Sequence, residues 1–461
     1  MKAYLLIDFG STNTKITAVD TTNRRILGTA KAMTTVESDI KTGYLQALSA
    51  LEAKIGKIEY YKKIACSSAA GGLKMAAIGL VEELTVEAAK RACYGAGGKV
   101  DLVFSFFLQE RDIEEIKAKK IDIILLAGGT DGGNTESVLA NAKMLASAKL
   151  NIPIIYAGNR ACQDEVTRIF DAYKEKIIMI NNIMPRLNVL QIEEAKEKIR
   201  QIFLKNIIAA KGIKQIESEI DEVIFPTPHA VLLAATLLAK GYLEEEGLGD
   251  IVLVDIGGAT TDVYSIASGA PTRADVVLKG LEEPFAKRTV EGDLGVRYSV
   301  QGIVDSLSEE EKLAYLAQGF DLQREAMRRR KDVAFLPQNE QDSQVDQLFA
   351  AICADRAMSR HVGKMESVYT PLGMMYYQYG KDLSAVKAII GTGGVVINDS
   401  EPNKILQVMI QNRKTGLQLR PKNPKIMVDE VYILSAMGLL SLDEPVAALK
   451  IMKENIKEKS E

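Results

Sequence analysis

Two short segments of the chain combine a carboxylate with a turn rich in glycine and hydroxyl side chains. The first runs from Leu5 to Lys15 and the second from Leu253 to Asp262. Each starts with an apolar run that predicts a buried strand, and after each turn the chain becomes apolar again, so both segments predict β-hairpins. When the two are aligned, Asp8 matches Asp255 at the strand ends. A carboxylate there can hold a hydrated Mg²⁺ ion or a water molecule.

The small residues of the two turns are candidates for binding phosphate. Little side-chain bulk separates their backbone N–H groups and hydroxyls from a ligand. The candidates are Gly10, Ser11, Thr12, Asn13 and Lys15 in the first segment and Gly257, Gly258, Thr260 and Thr261 in the second. A single copy of this pattern is more typical of an ordinary hairpin than of a phosphate site. Lys15 could either contact a phosphate or be a solvent-facing strand residue. The repetition favours two turns that grip one polyphosphate, which predicts a nucleotide site.

A second pair of motifs follows in the same order. Strand-like runs end in the di-glycines Gly128-Gly129 and Gly393-Gly394, one after each predicted hairpin. A di-glycine after a strand permits close backbone contact with a flat or charged ligand, although one copy alone is more typical of a tight turn. The order of the four motifs predicts an internal duplication, with Gly391, Gly393 and Gly394 as further ligand-contacting candidates. For the turn at 128–134 two interpretations remain, a ligand-facing loop and a purely structural turn.

Composition narrows the class of protein. The chain has 461 residues, 47% of them hydrophobic and 26% charged, which is typical of a globular protein with two or more domains or of one large two-lobed enzyme. A formal net charge of −3 gives no electrostatic reason to expect nucleic acid or an anionic membrane as partner. The four cysteines are far apart, and the two histidines, His229 and His361, are predicted at a helix start and on a helix surface. The apolar run from Ala230 to Ala239 is too short to span a bilayer, so a cytoplasmic protein is predicted.

The pattern of apolar residues predicts an α/β protein of two lobes. Strand-like and amphipathic helical stretches alternate in the first half, which favours a largely parallel sheet behind the first hairpin. Leu73–Ala92 is predicted as one amphipathic helix. A helix over about 226–243 is predicted to connect the lobes, which we place at residues 1–235 and 236–461. Residues 307–347 are predicted to form a polar insertion in the second lobe, whose charged runs are either solvated helix faces or a docking surface.

These motifs resemble, in kind and order, those of the superfamily that unites actin, heat-shock chaperones, sugar kinases and the reactivases of radical enzymes. The five matching segments are Asp8–Lys15, His229–Leu243, Asp255–Asp262, Gly391–Val395 and Asp429–Leu440. The resemblance implies two lobes of duplicated, ribonuclease H-like topology with an ATP cleft between them. Whole motifs at residues 8–15, 126–134 and 290–297 are also similar to those of the accessory proteins of glutamate mutase, and this narrower resemblance covers motifs in both halves.

The narrower resemblance implies a function. The protein is expected to bind ATP and Mg²⁺, to close its lobes on the nucleotide and thereby to promote the exchange of damaged cobalamin in an adenosylcobalamin-dependent mutase. Glutamate mutase or a related aminomutase is the implied partner. In this mechanism Asp8 and Asp255 are the catalytic and metal-binding residues, and the glycines from Gly391 to Gly394 pass against the adenosine. The cobalamin itself is expected on the partner, because the chain contains no Asp-x-His-x-x-Gly segment.

Two other functions fit the same superfamily. A small-molecule kinase is one alternative, although no acceptor-binding motif is recognisable in the sequence. An actin-like filament subunit that assembles with ATP is the other, and a scaffold without ATPase activity also stays open. The oligomeric state is not fixed by the sequence, and a homo-oligomer is one alternative.

Overall fold

The computed structural model describes residues 1–10, 13–33, 40–68, 73–210, 219–371 and 373–459, with the backbone alone at 206–210, 223–224 and 414. The phosphate-binding candidates Ser11 and Thr12 lie outside the described residues. The chain divides into two compact units. The first consists of Met1–Asp20 with Ile26–Ala230, and the second of Thr21–Arg25 with Val231–Glu461.

The first unit contains two five-stranded sheets. Its strands are β1 (Ala3–Phe9), β2 (Asn13–Asp20), β3 (Arg25–Met33), β4 (Lys62–Ser67), β5 (Lys74–Gly79), β6 (Lys99–Ser105), β7 (Ile123–Leu126), β8 (Ile154–Tyr156), β9 (Ile177–Met179) and β10 (Glu222–Pro226). Its helices are α1 (Ile40–Ile55), α2 (Glu87–Gly95), α3 (Glu110–Lys119), α4 (Glu136–Ser147), α5 (Gln163–Ile169), α6 (Glu193–Ala210) and α7 (Thr227–Lys240), which runs on into the second unit. A π-helical turn, Glu82–Val86, precedes α2.

The sheet that carries the first turn has the order β10-β4-β1-β2-β3. All seven residues of β1 are buried, which explains its uninterrupted apolar run, because a strand covered on both faces has no polar side. This strand pairs antiparallel with β2 and parallel with β4. The predicted hairpin at the start of the chain is therefore confirmed, and β1 lies at the centre of its sheet.

The second sheet is inserted between β4 and β10, and it was not predicted as a separate sheet. Its order is β6-β5-β7-β8-β9, and every pair of neighbours is parallel. The prediction of a single helix over Leu73–Ala92 is wrong, because Lys74–Gly79 forms β5 at an inner position of this sheet. The segment has the alanine content of a helix, but five of its six residues are buried between β6 and β7, and this burial overrides local propensity.

The second unit is built around a six-stranded sheet of order β16-β14-β13-β19-β20-β21. Its strands are β11 (Gly241–Tyr242), β12 (Glu245–Glu246), β13 (Ile251–Ile256), β14 (Thr261–Ile266), β15 (Val276–Lys279), β16 (Ala286–Glu291), β17 (Lys364–Thr370), β18 (Gly373–Tyr379), β19 (Ala388–Thr392), β20 (Lys425–Asp429) and β21 (Ile456–Glu458). Its helices are α8 (Val300–Asp305), α9 (Glu309–Ala317), α10 (Leu322–Lys331), α11 (Glu340–His361), α12 (Gly394–Ile397), α13 (Pro402–Leu406), α14 (Leu434–Leu440) and α15 (Pro445–Asn455). The predicted polar insertion corresponds to α9, α10 and the start of α11.

The two large sheets repeat one topology. In the second unit β13 pairs antiparallel with β14 and parallel with β19, as β1 does with β2 and β4. The orders β3-β2-β1-β4-β10 and β16-β14-β13-β19-β20 then match strand for strand. The predicted α/β fold with duplicated, ribonuclease H-like topology is confirmed by this match. In the second unit the core lies between the sheet and α11, whose buried face includes Phe349 and Met358.

None of the helices in the described part of the chain combines the length and the hydropathy that crossing a membrane requires.

Candidate functional site

The first turn is closed by backbone hydrogen bonds around Gly10. The Gly10 N–H donates to the Asn13 carbonyl and to the Asp8 carbonyl, both at 3.1 Å. A Cβ atom at Gly10 would lie 2.6 Å from the Asn13 oxygen, so only glycine fits there. In the hairpin, Asp8 lies opposite Lys15, so their side chains share one face of the sheet. The structure therefore brings four of the predicted residues of this unit together, namely Asp8, Gly10, Asn13 and Lys15.

The Asp8 carboxylate is buried and held in place. It is 4% exposed, and the Thr227 hydroxyl at the start of α7 donates to its Oδ1 atom at 2.6 Å. Cys66 lies at the same register position on β4, and burial raises the pKa of its thiol well above the ordinary value. The neighbouring thiol therefore stays protonated near pH 7 and adds no negative charge beside Asp8. Thr227 was not predicted as a site residue, although the Pro-Thr-Pro segment predicts the helix start on which it lies.

The second turn has the same hydrogen-bonding pattern as the first. The Gly257 N–H donates to the Thr260 carbonyl at 2.9 Å, as Gly10 does to Asn13. Asp255 has the register position that Asp8 has in the first hairpin. Among the described residues, the N–H groups of Gly258, Ala259 and Thr260 have no protein acceptor. Consecutive N–H groups of this kind form a concave site for an anion.

The two threonines of the second turn differ in what their hydroxyls contact. The buried Thr261 hydroxyl donates to the Leu294 carbonyl at 2.8 Å, so it shapes the turn and is already engaged. Thr260 is partly exposed, and its hydroxyl donates to Asp262 at 3.2 Å. Asp262 in turn forms a buried ion pair with Arg288, whose Nε atom donates to it at 2.8 Å. Of the two hydroxyls on this turn, only that of Thr260 lies on a partly exposed residue.

The segment after Leu294 is hydrogen-bonded to the second turn. The Val296 N–H donates to the Gly257 carbonyl, and those of Arg297 and Tyr298 donate to the Gly258 carbonyl, at 2.8 to 3.1 Å. The Arg297 guanidinium binds both carboxylate oxygens of Asp346 on α11, at 2.6 and 3.2 Å. The same carboxylate accepts a hydrogen bond from Arg329 of α10, which is fully buried. A chain of hydrogen bonds thus joins the predicted polar insertion to the turn.

Asp255 has a second neighbour that sequence reasoning missed. The Tyr432 hydroxyl donates to its Oδ1 atom at 3.5 Å. Tyr432 follows β20, where the fully buried Asp429 carboxylate accepts the N–H groups of Ile433 and Leu434 and so caps α14. The predicted helix Asp429–Leu440 therefore begins only at Leu434, because Asp429 ends a strand and uses its side chain as the cap.

A group of carboxylates lies at the end of β16, beside the second turn. Glu291 is paired in register with Thr261, and Arg360 binds both Glu291 and Asp293 at 2.6 to 2.9 Å. Burial raises the pKa of the Glu291 carboxyl. The charges of Asp293 and Asp262 act in the same direction, and Arg360 opposes them. A carboxyl with a raised pKa is a candidate proton acceptor.

The three predicted glycines after β19 differ in their surroundings. Gly391 is buried inside the strand, where a Cβ atom would lie 2.7 Å from Leu406, so its role here is packing. Gly393 has a φ of 100°, and a Cβ atom there would lie 2.3 Å from the carbonyl oxygen of Ile256, next to the second turn. Gly394 is exposed with open space around it. Of the three, Gly394 has the surface that a ligand could reach.

The donor set suits Mg²⁺ better than a metal held by protein ligands alone. Within the described residues, no three His, Cys, Asp or Glu side chains lie close enough to hold a metal ion together. Mg²⁺ typically keeps several waters and takes one or two carboxylates with the phosphates of its nucleotide. Asp8 and Asp255, each beside a phosphate-type turn, have this chemistry.

Comparison with known proteins places the chain in a family. The model of the MutL protein family matches residues 4–456. Protein MutL of Clostridium tetanomorphum is 50% identical over 457 residues, which cover 98% of this chain and 99% of that protein.

Several solved structures align with nearly the whole chain at low similarity. The activator of the 2-hydroxyisocaproyl-CoA dehydratase from Clostridium difficile, with bound ADPNP, has a TM-score of 0.33 at 10% identity and covers 100% of both chains. Component A of the (R)-2-hydroxyglutaryl-CoA dehydratase from Acidaminococcus fermentans has a TM-score of 0.32 at 9% identity and covers 99% of both. Xylulose kinase from Lactobacillus acidophilus has a TM-score of 0.37 at 10% identity, over 100% of this chain and 93% of its own.

Because these TM-scores are low, the fold rests on the strand order described above. The family, in contrast, rests on sequence identity along the whole chain, and it agrees with the narrower of the two resemblances found in the motifs. The chain belongs to the MutL protein family.

Proposed function

We propose that the chain binds ATP with Mg²⁺ through its first and second turns and hydrolyses it. The observation that carries this proposal is the repeated hairpin. Both copies have an aspartate at one register position and a glycine N–H that closes the turn. The second copy also has three N–H groups that no acceptor among the described residues engages. Phosphate and Mg²⁺ are the ligands that such a combination of N–H groups and carboxylates suits.

The proposal gives the residues distinct tasks. Asp8 and Asp255 hold the Mg²⁺ ion through its waters or orient the attacking water, since positioning and charge neutralisation dominate phosphoryl transfer. Gly10 to Asn13 and Gly257 to Thr260 bind phosphate oxygens, and Lys15 supplies a positive charge. The adenosine is assigned to the backbone near Gly393 and Gly394. The proposed lobes are residues 1–235 and 236–461.

We extend the proposal to a client enzyme. The motifs shared with glutamate mutase accessory proteins, together with membership of the MutL family, support a reactivating factor for an adenosylcobalamin-dependent mutase. In this proposal nucleotide hydrolysis drives the release of damaged cobalamin from the mutase, so that intact coenzyme can enter. The client is glutamate mutase or a related aminomutase.

A reactivation assay tests the client. A mutase inactivated by a cobalamin that lacks the adenosyl group is incubated with the protein, Mg²⁺, free adenosylcobalamin and either ATP or a non-hydrolysable analogue. The proposal predicts that mutase activity returns with ATP and not with the analogue. A control omits the protein and measures spontaneous exchange of the coenzyme. Return of activity at the same rate without the protein would refute the role as reactivating factor, while ATP hydrolysis could still be measured on its own.

A further inference from the structure

The inserted sheet, β5 to β9, has a strand order that in other open parallel sheets goes with a ligand-binding crevice. In chain order its five strands are arranged as second, first, third, fourth and fifth, all parallel. After β5 the chain adds β6 on one side and then returns to add β7 on the other. The loops that leave β5 and β7 at their carboxyl ends therefore diverge. In open parallel sheets, ligands bind in the crevice at this switch point.

The loop after β7, residues 128–134, forms one wall of the crevice and has unpaired donors. It lies against the end of β5, since a Cβ atom at Gly128 would be 3.6 Å from the Leu80 nitrogen. Gly128 and Gly129 are buried, yet within the described chain their N–H groups have no protein acceptor, and neither does that of Thr130. Buried N–H groups without a partner are rare in proteins. These donors indicate an acceptor supplied from outside the chain.

Two buried asparagines hold this loop rigidly. Asn159, fully buried, accepts from the Gly132 N–H at 3.0 Å and donates to the carbonyls of Gly133 and Asn134. Asn182, also buried, donates to the Gly129 carbonyl at 3.0 Å and to Asp131 at 2.9 Å. These contacts engage the loop through its carbonyls, the Gly132 N–H and the Asp131 carboxylate, and none of them uses the N–H groups of 128–130. The loop is thus held rigidly while these N–H groups remain available to another acceptor.

An exposed aromatic pair lies at the end of β6, on the other side of β5. The rings of Phe106 and Phe107 are 4.4 Å apart, and the two residues are 55% and 36% exposed. Phe106 has a φ of 67°, a conformation that is strained for a bulky side chain. Buried Asn141 enforces it by donating to the Phe106 carbonyl and accepting the Leu108 N–H, both at 2.8 Å. Here a buried polar contact maintains a strained backbone conformation, and two aromatic rings are exposed as a result. Such maintained strain is typical of ligand clamps.

We infer that this crevice binds an uncharged, planar ring compound that carries carbonyl or amide acceptors at one edge. Neighbouring strands are about 4.8 Å apart, so the ends of β6 and β7 lie roughly 10 Å apart, the length of a fused multi-ring system. The aromatic pair packs on the ring and the N–H groups of 128–130 bind its acceptors. Glu82 and Glu83 lie in the π-helical turn that follows β5, and Asp131 lies in the loop after β7. These acidic residues disfavour a phosphorylated ligand. The inference does not depend on the proposed ATP site.

A fluorescence titration tests the inference. The chain has no Trp, so Phe107→Trp places a single indole in the crevice. The probes are riboflavin, an uncharged planar ring with carbonyl acceptors at one edge, and FMN, which adds a phosphate to the same flavin. We expect a saturable change in the indole emission with riboflavin and weaker binding of FMN than of riboflavin.

Variants separate a binding role from a structural one. Phe106→Asn, which introduces a residue that tolerates positive φ, and Phe107→Ala should each weaken riboflavin binding about tenfold or more, measured by flavin fluorescence. Phe106→Asn should also leave the melting temperature unchanged or raised, because it relieves the strain. Tyr369→Ala, at an 82% exposed aromatic of the second unit, is the control and should not affect binding. Absence of saturable binding in the wild type, or unchanged binding in both phenylalanine variants, would overturn the inference, and ATP binding should be unaffected in either case.

Discussion

Replacing Arg297 should loosen the second turn. Its guanidinium is 12% exposed and makes four hydrogen bonds, two to Asp346 at 2.6 and 3.2 Å and one each to the carbonyls of Val296 and Phe335. Its backbone N–H holds the Gly258 carbonyl at 2.9 Å. Arg297→Ala should therefore disturb both the packing of α11 and the position of the turn.

The loss of stability in Arg297→Ala depends on the hydrogen-bond partners that Asp346 retains. Leaving one partner of a buried ion pair alone costs about 3–5 kcal/mol. Asp346 retains the buried Arg329 at 2.6 Å, so we expect a smaller loss, about 2–3 kcal/mol in the free energy of unfolding. The variant keeps the backbone N–H of residue 297 but loses the guanidinium hydrogen bond to the carbonyl of Val296, the residue that donates to Gly257 in the turn. Losing this bond should cost the turn on the order of 1 kcal/mol of preorganisation, which corresponds to roughly fivefold to tenfold weaker ATP binding.

Arg328→Ala is the matched control. Arg328 stacks on the same Phe335 ring as Arg297 and pairs with Asp342 at 2.6 Å, but it is 45% exposed and has no contact with the turn. Its removal should change the free energy of unfolding much less than the removal of Arg297, because an exposed ion pair is screened by solvent. Urea unfolding followed by circular dichroism gives the stability, and calorimetric titration with ATP and Mg²⁺ gives the affinity. The coupling between insertion and turn is refuted if Arg297→Ala binds ATP as tightly as Arg328→Ala, and Arg297→Lys should lie between them.

Three further changes have defined outcomes. Thr227→Ala removes the hydroxyl that donates to Asp8 and should lower the free energy of unfolding by about 1–3 kcal/mol, which a lower melting temperature would report. Thr227→Ser keeps the hydroxyl and should keep most of this stability. His361→Gln should flatten the pH dependence of unfolding below the ordinary His pKa of 6.5. Burial, and then the charges of Lys287 and Lys381, lower the pKa of His361 in the folded protein. In the wild type, therefore, only the unfolded chain binds a proton at this residue as the pH drops below 6.5, and the free energy of unfolding decreases as the pH decreases. Gly393→Ala should destabilise the protein by about 2 kcal/mol or more, whereas Gly394→Ala should change stability by less than about 0.5 kcal/mol in the same thermal assay.

The hairpins could be predicted because their signals are local. An apolar run, an aspartate and a glycine turn suffice to place Asp8 and Asp255, and the structure gives both the same register position. The hydrogen-bond partners of these residues could not be predicted in the same way. Thr227 and Tyr432 are more than 170 residues away in the chain, and no local pattern connects them.

The inserted sheet illustrates a different limit. Most of its strands carry a recognisable apolar pattern, but periodicity identifies a strand and not the sheet that it joins. The prediction that His361 lies on a helix surface is wrong for a related reason. The residue is fully buried at the end of α11, where its ring nitrogens contact the hydroxyls of Ser265 and Thr289 at 2.8 and 2.7 Å. These partners lie on β14 and β16, and no spacing in the sequence indicates that the helix packs there.

Calorimetric titration of ATP with Mg²⁺ into the wild type and into Asp8→Ala and Asp255→Ala tests the central claim most directly. Circular dichroism of each variant provides the control for folding. We predict one saturable binding event in the wild type that is lost or strongly weakened in both folded variants. Wild-type protein that binds no ATP, or folded variants that bind it as tightly as the wild type, would contradict the assignment of the two turns as a nucleotide site.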